Sequence, residues 1–538
     1  MRRRSVPIIV TMAVIGTSLA AGPPAVVAAA VDCSDVSPQE TLTVAMDGDV
    51  ETIDPMFSHF QKANELNYNI EDQFFRYGTA PAATGTETYV TTDILGSSIE
   101  SWEMAEDGLS VVLNIRDGMT FHGTGNPVAA DDFIYWFERA VGTESGGQWN
   151  IDTGKIASWE KTGPLQIKLT FSDKSPYFYY LFRDQSQAPM DMLAIQAQAA
   201  EDDPWAAKWV AGNDAGSGEY MIESWTPGQE MVLCANPDYW AGAPFFKRVV
   251  LRPIPSEADR VLLLTQGEVD IAETLSVAAL DSIREMPGVK VISEPTRNQI
   301  IMGLNNTMAP FDNKLVRQAM SYAVPYEAII SDVYGGQAQL SKGPIPVSGQ
   351  YYDESLWPYS TDIEKAKALL EEAGYPDGFS FQTHIATGDA SIERLAVFLQ
   401  TALKEIGVDM QIQQDTPAVF AEGQDARSQQ SWIRDLLWYV DDPGYTASAF
   451  FTPGCCNWSA YENAEVNELT AQMSVLTNEG ADREAKAPLA QEYQRIVIDD
   501  APVLYLAQTN FQLATRDDIT GYQQGPDNIL WYYPLARG

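Results

Sequence analysis

The chain has few of the residues and motifs that enzymes and metal-binding proteins rely on. Only three histidines, His59, His122 and His384, occur among 538 residues, and none has a second histidine or a cysteine at metal-ligand spacing. A Gly-x-Ser-x-Gly elbow and a glycine-rich phosphate loop are both missing. These gaps disfavour a serine hydrolase, a zinc enzyme and a nickel- or haem-binding protein. Carboxylate pairs are too numerous for counting to exclude a glycosidase.

Positive charge is also scarce. The chain has 34 Lys and Arg against 74 Asp and Glu, for a formal net charge of −40. Such a surface repels phosphate backbones and anionic membranes, so we do not expect a nucleic-acid partner. The acidic excess is compatible with a cationic or zwitterionic ligand, but a saline habitat would select the same excess.

The first thirty residues have the pattern of a signal peptide. Arg2, Arg3 and Arg4 precede an apolar stretch at residues 6–21, and three alanines at 28–30 suit a cleavage site. The apolar stretch is too short for a stop-transfer helix, although a retained anchor is the alternative. Cleavage after residue 30 removes three arginines and changes the net charge from −40 to −43. We therefore expect a soluble periplasmic protein, and Asp32 before Cys33 disfavours a lipid anchor.

Four cysteines in an exported chain predict two disulfides. The sequence alone allows three pairings. We favour Cys33 with Cys234, which leaves the adjacent Cys455 and Cys456 for a vicinal bridge.

Strand-like and helix-like segments alternate without an internal repeat, which indicates an α/β fold. Residues 41–46 and 110–115 are predicted strands, and residues 131–141 form a predicted helix. Apolar stripes predict three more helices in the second half, with Asp312, Thr361 and Ser391 as candidate N-terminal caps. A chain of this length should form two or three domains.

One segment combines residues suited to binding an ammonium group. A strand-like apolar run leads to Trp438 and Tyr439, which are followed by Asp441, Asp442 and a Pro-Gly turn. Aromatic faces and a partly buried carboxylate are the groups that hold such a cation. The alternative is a surface turn with Trp438 in the core.

Four sequence blocks, in order, resemble family 5 of the bacterial extracellular solute-binding proteins, which includes the oligopeptide- and dipeptide-binding proteins of ATP-binding-cassette (ABC) importers. The blocks lie at residues 41–55, 99–139, 216–240 and 305–323. The resemblance covers the chain from Thr41 to Tyr533. It implies a two-lobed periplasmic-binding-protein fold of type II, in its large three-domain variant, with a hinge between the lobes. It also implies that His122 lies in a structural turn and that the protein is not an enzyme.

The resemblance implies a division of the chain as well. Lobe 1 should comprise residues 31–70, 205–297 and 508–538, with an extra domain at 71–204 packed on it. Residues 298–507 should form lobe 2. The implied partners are a small solute or peptide and the permease subunits of an ABC importer with their ATPases, and the protein should be a monomer without a cofactor.

Candidate ligand contacts follow from the same resemblance. They are His59, Phe60 and Gln61 after the Asp-Pro turn, Trp149 beyond the Phe-Glu-Arg helix, and the segment Trp438, Tyr439, Asp441 and Asp442. In peptide binders an aspartate in a Trp-x-x-Asp motif holds the amine, which points to Asp441.

The sequence departs from this pattern in two places. Asp441 directly precedes Asp442-Pro443, whereas the family usually leaves a longer gap. If Asp442-Pro443 is the true anchor, Tyr439 replaces the amine-binding aspartate. Pro417 stands where the family has a pocket aromatic. We therefore expect a peptide or another amine-containing solute, with a neutral oligosaccharide, an opine-like solute or a glycosidase-like activity as alternatives.

Overall fold

The computed structural model describes residues 32–57, 61–82, 86–183, 187–438, 440–454, 456–478, 480–525 and 528–538. The predicted signal peptide at 1–30 and the residues His59, Phe60, Tyr439 and Cys455 lie outside these ranges. Within the ranges, no helix is both long enough and apolar enough to cross a membrane.

Twenty strands occur in the described part of the chain. In chain order they are β1 Thr41–Met46, β2 Phe75–Pro81, β3 Glu87–Gly96, β4 Ile99–Met104, β5 Ser110–Ile115, β6 Ile156–Gly163, β7 Gln166–Phe171, β8 Tyr220–Thr226, β9 Glu230–Ala235, β10 Arg248–Pro253, β11 Ile271–Ala272, β12 Val289–Leu304, β13 Ala338–Gln339, β14 Ser380–Ala386, β15 Asp409–Asp415, β16 Ser431–Leu436, β17 Val503–Arg516, β18 Ile519–Thr520, β19 Gln523–Gln524 and β20 Ala536–Arg537.

Sixteen α-helices alternate with these strands in the same ranges. They are α1 Gln61–Ile70, α2 Ala130–Gly142, α3 Gly146–Thr153, α4 Phe178–Leu181, α5 Met192–Gln196, α6 Ala207–Val210, α7 Glu257–Gln266, α8 Val277–Ile283, α9 Lys314–Ala323, α10 Tyr326–Ala328, α11 Ile363–Glu372, α12 Ala390–Leu403, α13 Pro417–Asp425, α14 Pro443–Phe450, α15 Ala464–Met473 and α16 Gly480–Asp500. Short 3₁₀ turns lie at Pro38–Glu40, Pro55–Phe57, Glu354–Leu356 and Lys404–Ile406, and a π turn at Ile329–Val333.

One large sheet runs through both lobes. Its strand order is β15-β14-β16-β12-β17-β11-β1-β10-β9-β8, with β13 added beside β17. We call the part of the sheet with β1 and β8–β11 lobe 1, and the part with β13–β16 lobe 2. The long antiparallel strands β12 and β17 cross from one lobe to the other, so the two lobes share a hydrogen-bonded connection.

The register between the crossing strands shifts at two points, first between Pro295 and Gln299 and again between Ile300 and Ile301. Pro295 faces Asn510, and the next regular pair is Gln299 with Gln508. Three residues of β12 therefore face only Thr509, as in a bulge, which bends and twists a strand. The first break lies between the end of the strand pair that adjoins β11 and the end that adjoins β16, and we call residues 296–298 the hinge bulge.

An additional α/β unit precedes lobe 2 in the chain. It contains the four-stranded sheet β4-β5-β7-β6 and the antiparallel pair β2–β3, to which β19 adds in parallel. Its apolar core includes Phe74, Phe133 and Trp136. Val440 and Tyr445 of lobe 2 belong to the same cluster, so this unit packs against lobe 2 as well as lobe 1.

A buried ion pair joins the Asp-Pro turn after β1 to the Phe-Glu-Arg helix α2. Arg139 of α2 donates from Nη1 to Asp54 Oδ1 at 2.9 Å and from Nη2 to Asp54 Oδ2. Both side chains are at most 1% exposed. Such a two-pronged bond orients both groups and joins α2 to the turn after β1.

Three predicted N-terminal caps are wrong by one or two residues. Helix α9 is capped by Asn313 instead of Asp312, α11 by Asp362 instead of Thr361, and α12 by Asp389 instead of Ser391. In each case the capping oxygen accepts a backbone N–H of the first turn, which Asn and Asp do as well as Ser and Thr.

Cys33 and Cys234 form a disulfide, with 5.8 Å between their Cα atoms. It joins the segment before β1 to β9 in lobe 1. Cys456 is also disulfide-bonded. The vicinal bridge to Cys455 stays a prediction, because Cys455 lies outside the described residues.

Candidate functional site

Asp441 lies where three parts of the molecule meet. It follows β16 in lobe 2, and its side chain is 6% exposed. Thr91 Oγ1 of β3 donates to Asp441 Oδ2 at 2.8 Å, and the backbone N–H of Gln350 donates to Oδ1 at 2.9 Å. Arg297 of the hinge bulge places Nη1 3.3 Å from Oδ2. The carboxylate therefore connects the β2–β3 pair, lobe 2 and the hinge.

A small cavity of about 10 Å³ lies beside this carboxylate. Residues from both sides of the junction line it: Arg297, Ile345, Pro346, Gln350, Trp438, Val440, Asp441, Asp442, Pro443 and Thr446. Three of the sequence-predicted contacts, Trp438, Asp441 and Asp442, therefore share one cavity.

Asp442 lines the same cavity and is also engaged within the fold. Its Oδ1 accepts the N–H groups of Gly444 at 2.7 Å and Tyr445 at 3.2 Å, so it caps α14. Its Oδ2 accepts from Lys486 Nζ at 2.5 Å, and both side chains are 0% exposed. Burial raises the pKa of Asp442, and the charge of Lys486 opposes that rise.

Trp438 is a core residue that also borders the cavity. It is 1% exposed, its Nε1 donates to Gln299 Oε1 at 2.6 Å, and its ring packs edge-on against Phe450. Most of the Trp438 side chain therefore packs in the core, which was the alternative interpretation of the sequence. The hydrogen bond also explains how an indole N–H can be buried here.

Trp149 and Gln61 lie away from this cavity. Trp149 of α3 is 45% exposed, and its ring meets Tyr445 of α14 edge-on at 6.3 Å. Gln61 begins α1 and donates from Nε2 to the Asn528 carbonyl at 2.9 Å. Pro417, which replaces a family aromatic, is the first residue of α13 and follows the cap Thr416.

A larger cleft of about 240 Å³ lies between the lobes next to α1. Gln61, Lys62, Glu65 and Glu273 line its lobe 1 side, and Asp389 and Asp435 line its lobe 2 side. Lys62 Nζ lies 2.6 Å from Glu273 and 3.1 Å from Asp47. The cleft therefore contains more carboxyl groups than cations.

Two residues of this cleft, Lys62 and Glu65, have shifted pKa values. Burial alone would lower the pKa of Lys62, but Glu273, Glu65 and Asp47 together raise it, so the ammonium stays charged. Burial, followed by the charge of Glu273, raises the pKa of Glu65 well above its usual range. Glu65 is therefore neutral over a wider pH range than an exposed glutamate.

A third cavity of about 30 Å³ lies between β2, β3 and the C-terminal segment. Arg76, Tyr77, Tyr89, Arg183 and Trp531 are among its lining residues. The rings of Tyr77 and Tyr89 stack with 5.7 Å between centroids, and Arg183 lies 5.0 Å from the Tyr77 ring centroid. Two arginines line this cavity, whereas carboxyl groups outnumber cations in the large cleft.

His122 is a structural residue in the described fold. Its Nδ1 lies 3.0 Å from both oxygens of Asp214, and its Nε2 lies 3.0 Å from the Gly218 carbonyl. Among the described residues, one group of three potential metal ligands converges, Cys33, Glu223 and Cys234. The disulfide between its two cysteines leaves that group with a single carboxylate.

Lys486 and Arg297 contact the candidate site but have no signal in the sequence. No local pattern connects Lys486 in α16 with Asp442, or Arg297 in β12 with Asp441. The capping role of Asp442 did have a signal, since an N-cap followed by proline is a frequent helix start.

The chain is similar to proteins with different ligands. The family model described as bacterial extracellular solute-binding proteins, family 5 middle, matches residues 95–457. The probable D,D-dipeptide-binding periplasmic protein DdpA of Escherichia coli is 28% identical over 91% of this chain and 92% of its own length. Heme-binding protein A of Haemophilus influenzae is 27% identical, with 83% and 84% covered.

The fold has solved counterparts. The periplasmic binding protein DppA of Helicobacter pylori, in complex with the peptide STSA, superposes with a TM-score of 0.79 at 22% identity, over 92% of this chain and 98% of that one. The mixed α/β architecture is thus the two-lobed type II fold of periplasmic binding proteins, as predicted. Since the family model matches more than half of the sequence, the chain belongs to family 5 of the bacterial extracellular solute-binding proteins.

Proposed function

We propose that this protein is the periplasmic solute-binding component of an ABC importer and that it captures a peptide or another amine-containing solute between its lobes. The observation that carries the proposal is Asp441. It is a nearly buried carboxylate at the junction of both lobes, and it borders a cavity. A partly desolvated carboxylate is the natural partner for a ligand ammonium.

The relatives support the compartment and the class of solute. One is named as a periplasmic D,D-dipeptide-binding protein, and a solved counterpart holds a tetrapeptide. Residues 1–30 have the composition of an export signal. The proposed division of the chain is that inferred from the sequence, with the extra domain at 71–204 and lobe 2 at 298–507. In this proposal the protein acts as a monomer that delivers its solute to the membrane permease.

Ligand capture should involve lobe closure around the hinge bulge. The contact between Thr91 and Asp441 joins the β2–β3 pair to lobe 2, and Trp149 meets Tyr445 across the same junction. A ligand that enters must separate these contacts and then be enclosed by them. Small-angle scattering should therefore show a smaller radius of gyration when a bound ligand saturates the protein.

The test begins with a thermal-shift screen of peptides, amino acids, opines and oligosaccharides, because a ligand that binds only the folded state raises the melting temperature. Calorimetry on the best ligand then compares wild type with Asp441→Asn. Loss of one partner of a buried charged bond costs about 2–5 kcal/mol, or about 30-fold to several thousand-fold in affinity.

Asp409→Asn is the matched control, since Asp409 is exposed on β15 in the same lobe. It should bind like wild type. Equal affinities of Asp441→Asn and wild type, with melting curves unchanged, would show that no ligand ammonium contacts Asp441. A neutral oligosaccharide would then be the better candidate. Chemical conversion of the bound solute over time would indicate an enzyme instead of a binding protein.

A further inference from the structure

Residues 528–532, which we call the tail segment, lie along one face of α1. Gln61, Glu65 and Asn69 follow one another at intervals of four residues, so their side chains share that face. Gln61 Nε2 donates to the first carbonyl of the tail segment at 2.9 Å, and Asn69 Nδ2 donates to the Leu530 carbonyl at 2.9 Å. The helix therefore holds the tail segment by side-chain hydrogen bonds at both of its ends.

The middle bond of this row is made by Glu65. The hydroxyl of Tyr532 donates to Glu65 Oε1 at 2.6 Å, and the Tyr532 N–H donates to Asn69 Oδ1 at 2.8 Å. The Glu65 carboxyl is also hydrogen-bonded to the carboxyl of Glu273, which directly follows β11. Both glutamates are buried. A pair of carboxyl groups therefore connects α1 to lobe 1 beneath the tail segment.

Lys62 is the cation that contacts this pair. Its Nζ lies 2.6 Å from Glu273 Oε2 and 3.1 Å from Asp47 Oδ1. Arg260 donates from Nε to the Glu273 backbone carbonyl, so its charge is not bonded to the carboxylate. The other ionisable groups that face the pair or Lys62 are Glu51, Asp47, Tyr220, Tyr522 and Tyr532 in lobe 1, and Asp389 and Asp435 across the cleft.

The geometry of the pair requires a proton. Two ionised carboxylates in contact at a buried position repel each other, and Lys62 neutralises only one negative charge. Glu273 Oε1 is buried and accepts no N–H or hydroxyl group of the described residues. A proton on Glu65 supplies the missing donor and removes the repulsion. In agreement with this, burial and then the charge of Glu273 raise the pKa of Glu65 well above its usual range.

We propose that Glu65 and Glu273 share one proton in the folded protein and that this proton holds α1 and the tail segment on lobe 1, so that the tail segment loosens as the pH rises. The inference involves no ligand and does not rest on the proposed function. Above the usual pKa of a glutamate, about 4.3, the folded chain then keeps a proton that the unfolded chain has lost. The contribution of the pair to stability therefore falls with rising pH until the folded protein also loses the proton.

The test uses Glu65→Gln, whose amide keeps an acceptor for Tyr532 and donates permanently to Glu273. Urea unfolding is measured from pH 5 to pH 9. While the wild type keeps the shared proton, the folding equilibrium constant of Glu65→Gln should gain on that of wild type by about tenfold per pH unit, or about 1.4 kcal/mol. Glu268→Gln, an exposed glutamate after α7, is the control and should follow the wild type at every pH.

Hydrogen exchange of the C-terminal peptide, followed by mass spectrometry, tests the tail segment itself. Wild type and Glu65→Gln are compared at the same pH, so the intrinsic pH dependence of exchange cancels. Amides of residues 528–532 should exchange at similar rates in the two proteins at pH 5. At pH 9 they should exchange at least about tenfold faster in the wild type, because only its pair can lose the proton.

Either measurement can overturn the inference. A stability difference between Glu65→Gln and wild type that stays constant with pH would exclude the shared proton. Equal exchange of residues 528–532 in both proteins at pH 9 would exclude its effect on the tail segment. Should Glu65→Gln not fold, Glu273→Gln supplies the amide from the other side of the pair. Its folding equilibrium constant should gain on that of wild type with rising pH in the same way, and a constant difference there would also overturn the proposal.

Discussion

The buried pair of Asp442 and Lys486 makes the strongest prediction about stability. Asp442→Asn preserves the shape and the capping oxygen, since asparagine is as good an N-cap as aspartate. It leaves Lys486 fully buried with Asn478 Oδ1, at 3.1 Å, as its remaining described hydrogen-bond acceptor. Breaking a buried pair from one side costs about 3–5 kcal/mol, so we expect the free energy of unfolding to fall by that amount.

Lys486→Met should cost less. The carboxylate of Asp442 keeps two backbone N–H donors and the positive end of the α14 dipole. We expect a loss of about 1–3 kcal/mol, comparable to one unsatisfied buried group. In the double variant Asp442→Asn with Lys486→Met, the stranded ammonium is gone. Its free energy of unfolding should therefore lie near that of Lys486→Met. Its loss relative to wild type should be well below the sum of the two single losses.

Urea unfolding at pH 7, followed by circular dichroism, measures all four proteins as a double-mutant cycle. The slope of the unfolding free energy against urea should stay constant, which shows that the same surface is exposed. A loss below about 1 kcal/mol for Asp442→Asn, or simple additivity in the double variant, would refute a buried, mutually dependent pair.

Two further buried pairs give separate predictions. Burial alone would lower the pKa of His122, but Asp214 raises it above its usual value of about 6.5. The stabilisation from this pair is therefore complete below about pH 6.5, and it disappears as pH rises through the folded-state pKa. The difference in unfolding free energy between wild type and His122→Gln should shrink from pH 6 to pH 9 in urea titrations, and a constant difference would contradict this. Arg139→Met should cost about 3–5 kcal/mol by leaving Asp54 buried without its partner, and an unchanged midpoint in the same titration would count against that bond.

The sequence predicted what depends on local periodicity and failed where distant residues decide. The apolar stripes predicted α9, α11 and α12, with N-terminal caps one or two residues from the observed ones. The caps were misplaced because two suitable polar residues stand close together at each helix start. Trp438 and Asp441 were found as neighbours in sequence, but Arg297 reaches Asp441 only through the fold. A single arginine in a strand has no sequence pattern that distinguishes it from a surface residue.

The shared sheet has a consequence for the order in which the protein forms. β1, near the start of the chain, pairs with β11, and β11 pairs with Ala514 and Thr515 near the end of β17. Because the chain is synthesised from its N-terminus, the sheet of lobe 1 cannot be completed until the last tenth of the sequence has been made. Lobe 2 has all of its own strands before that point, except for the part of β17 that it shares. We infer that lobe 2 forms first and that lobe 1 remains open and protease-sensitive until its C-terminal strand is added.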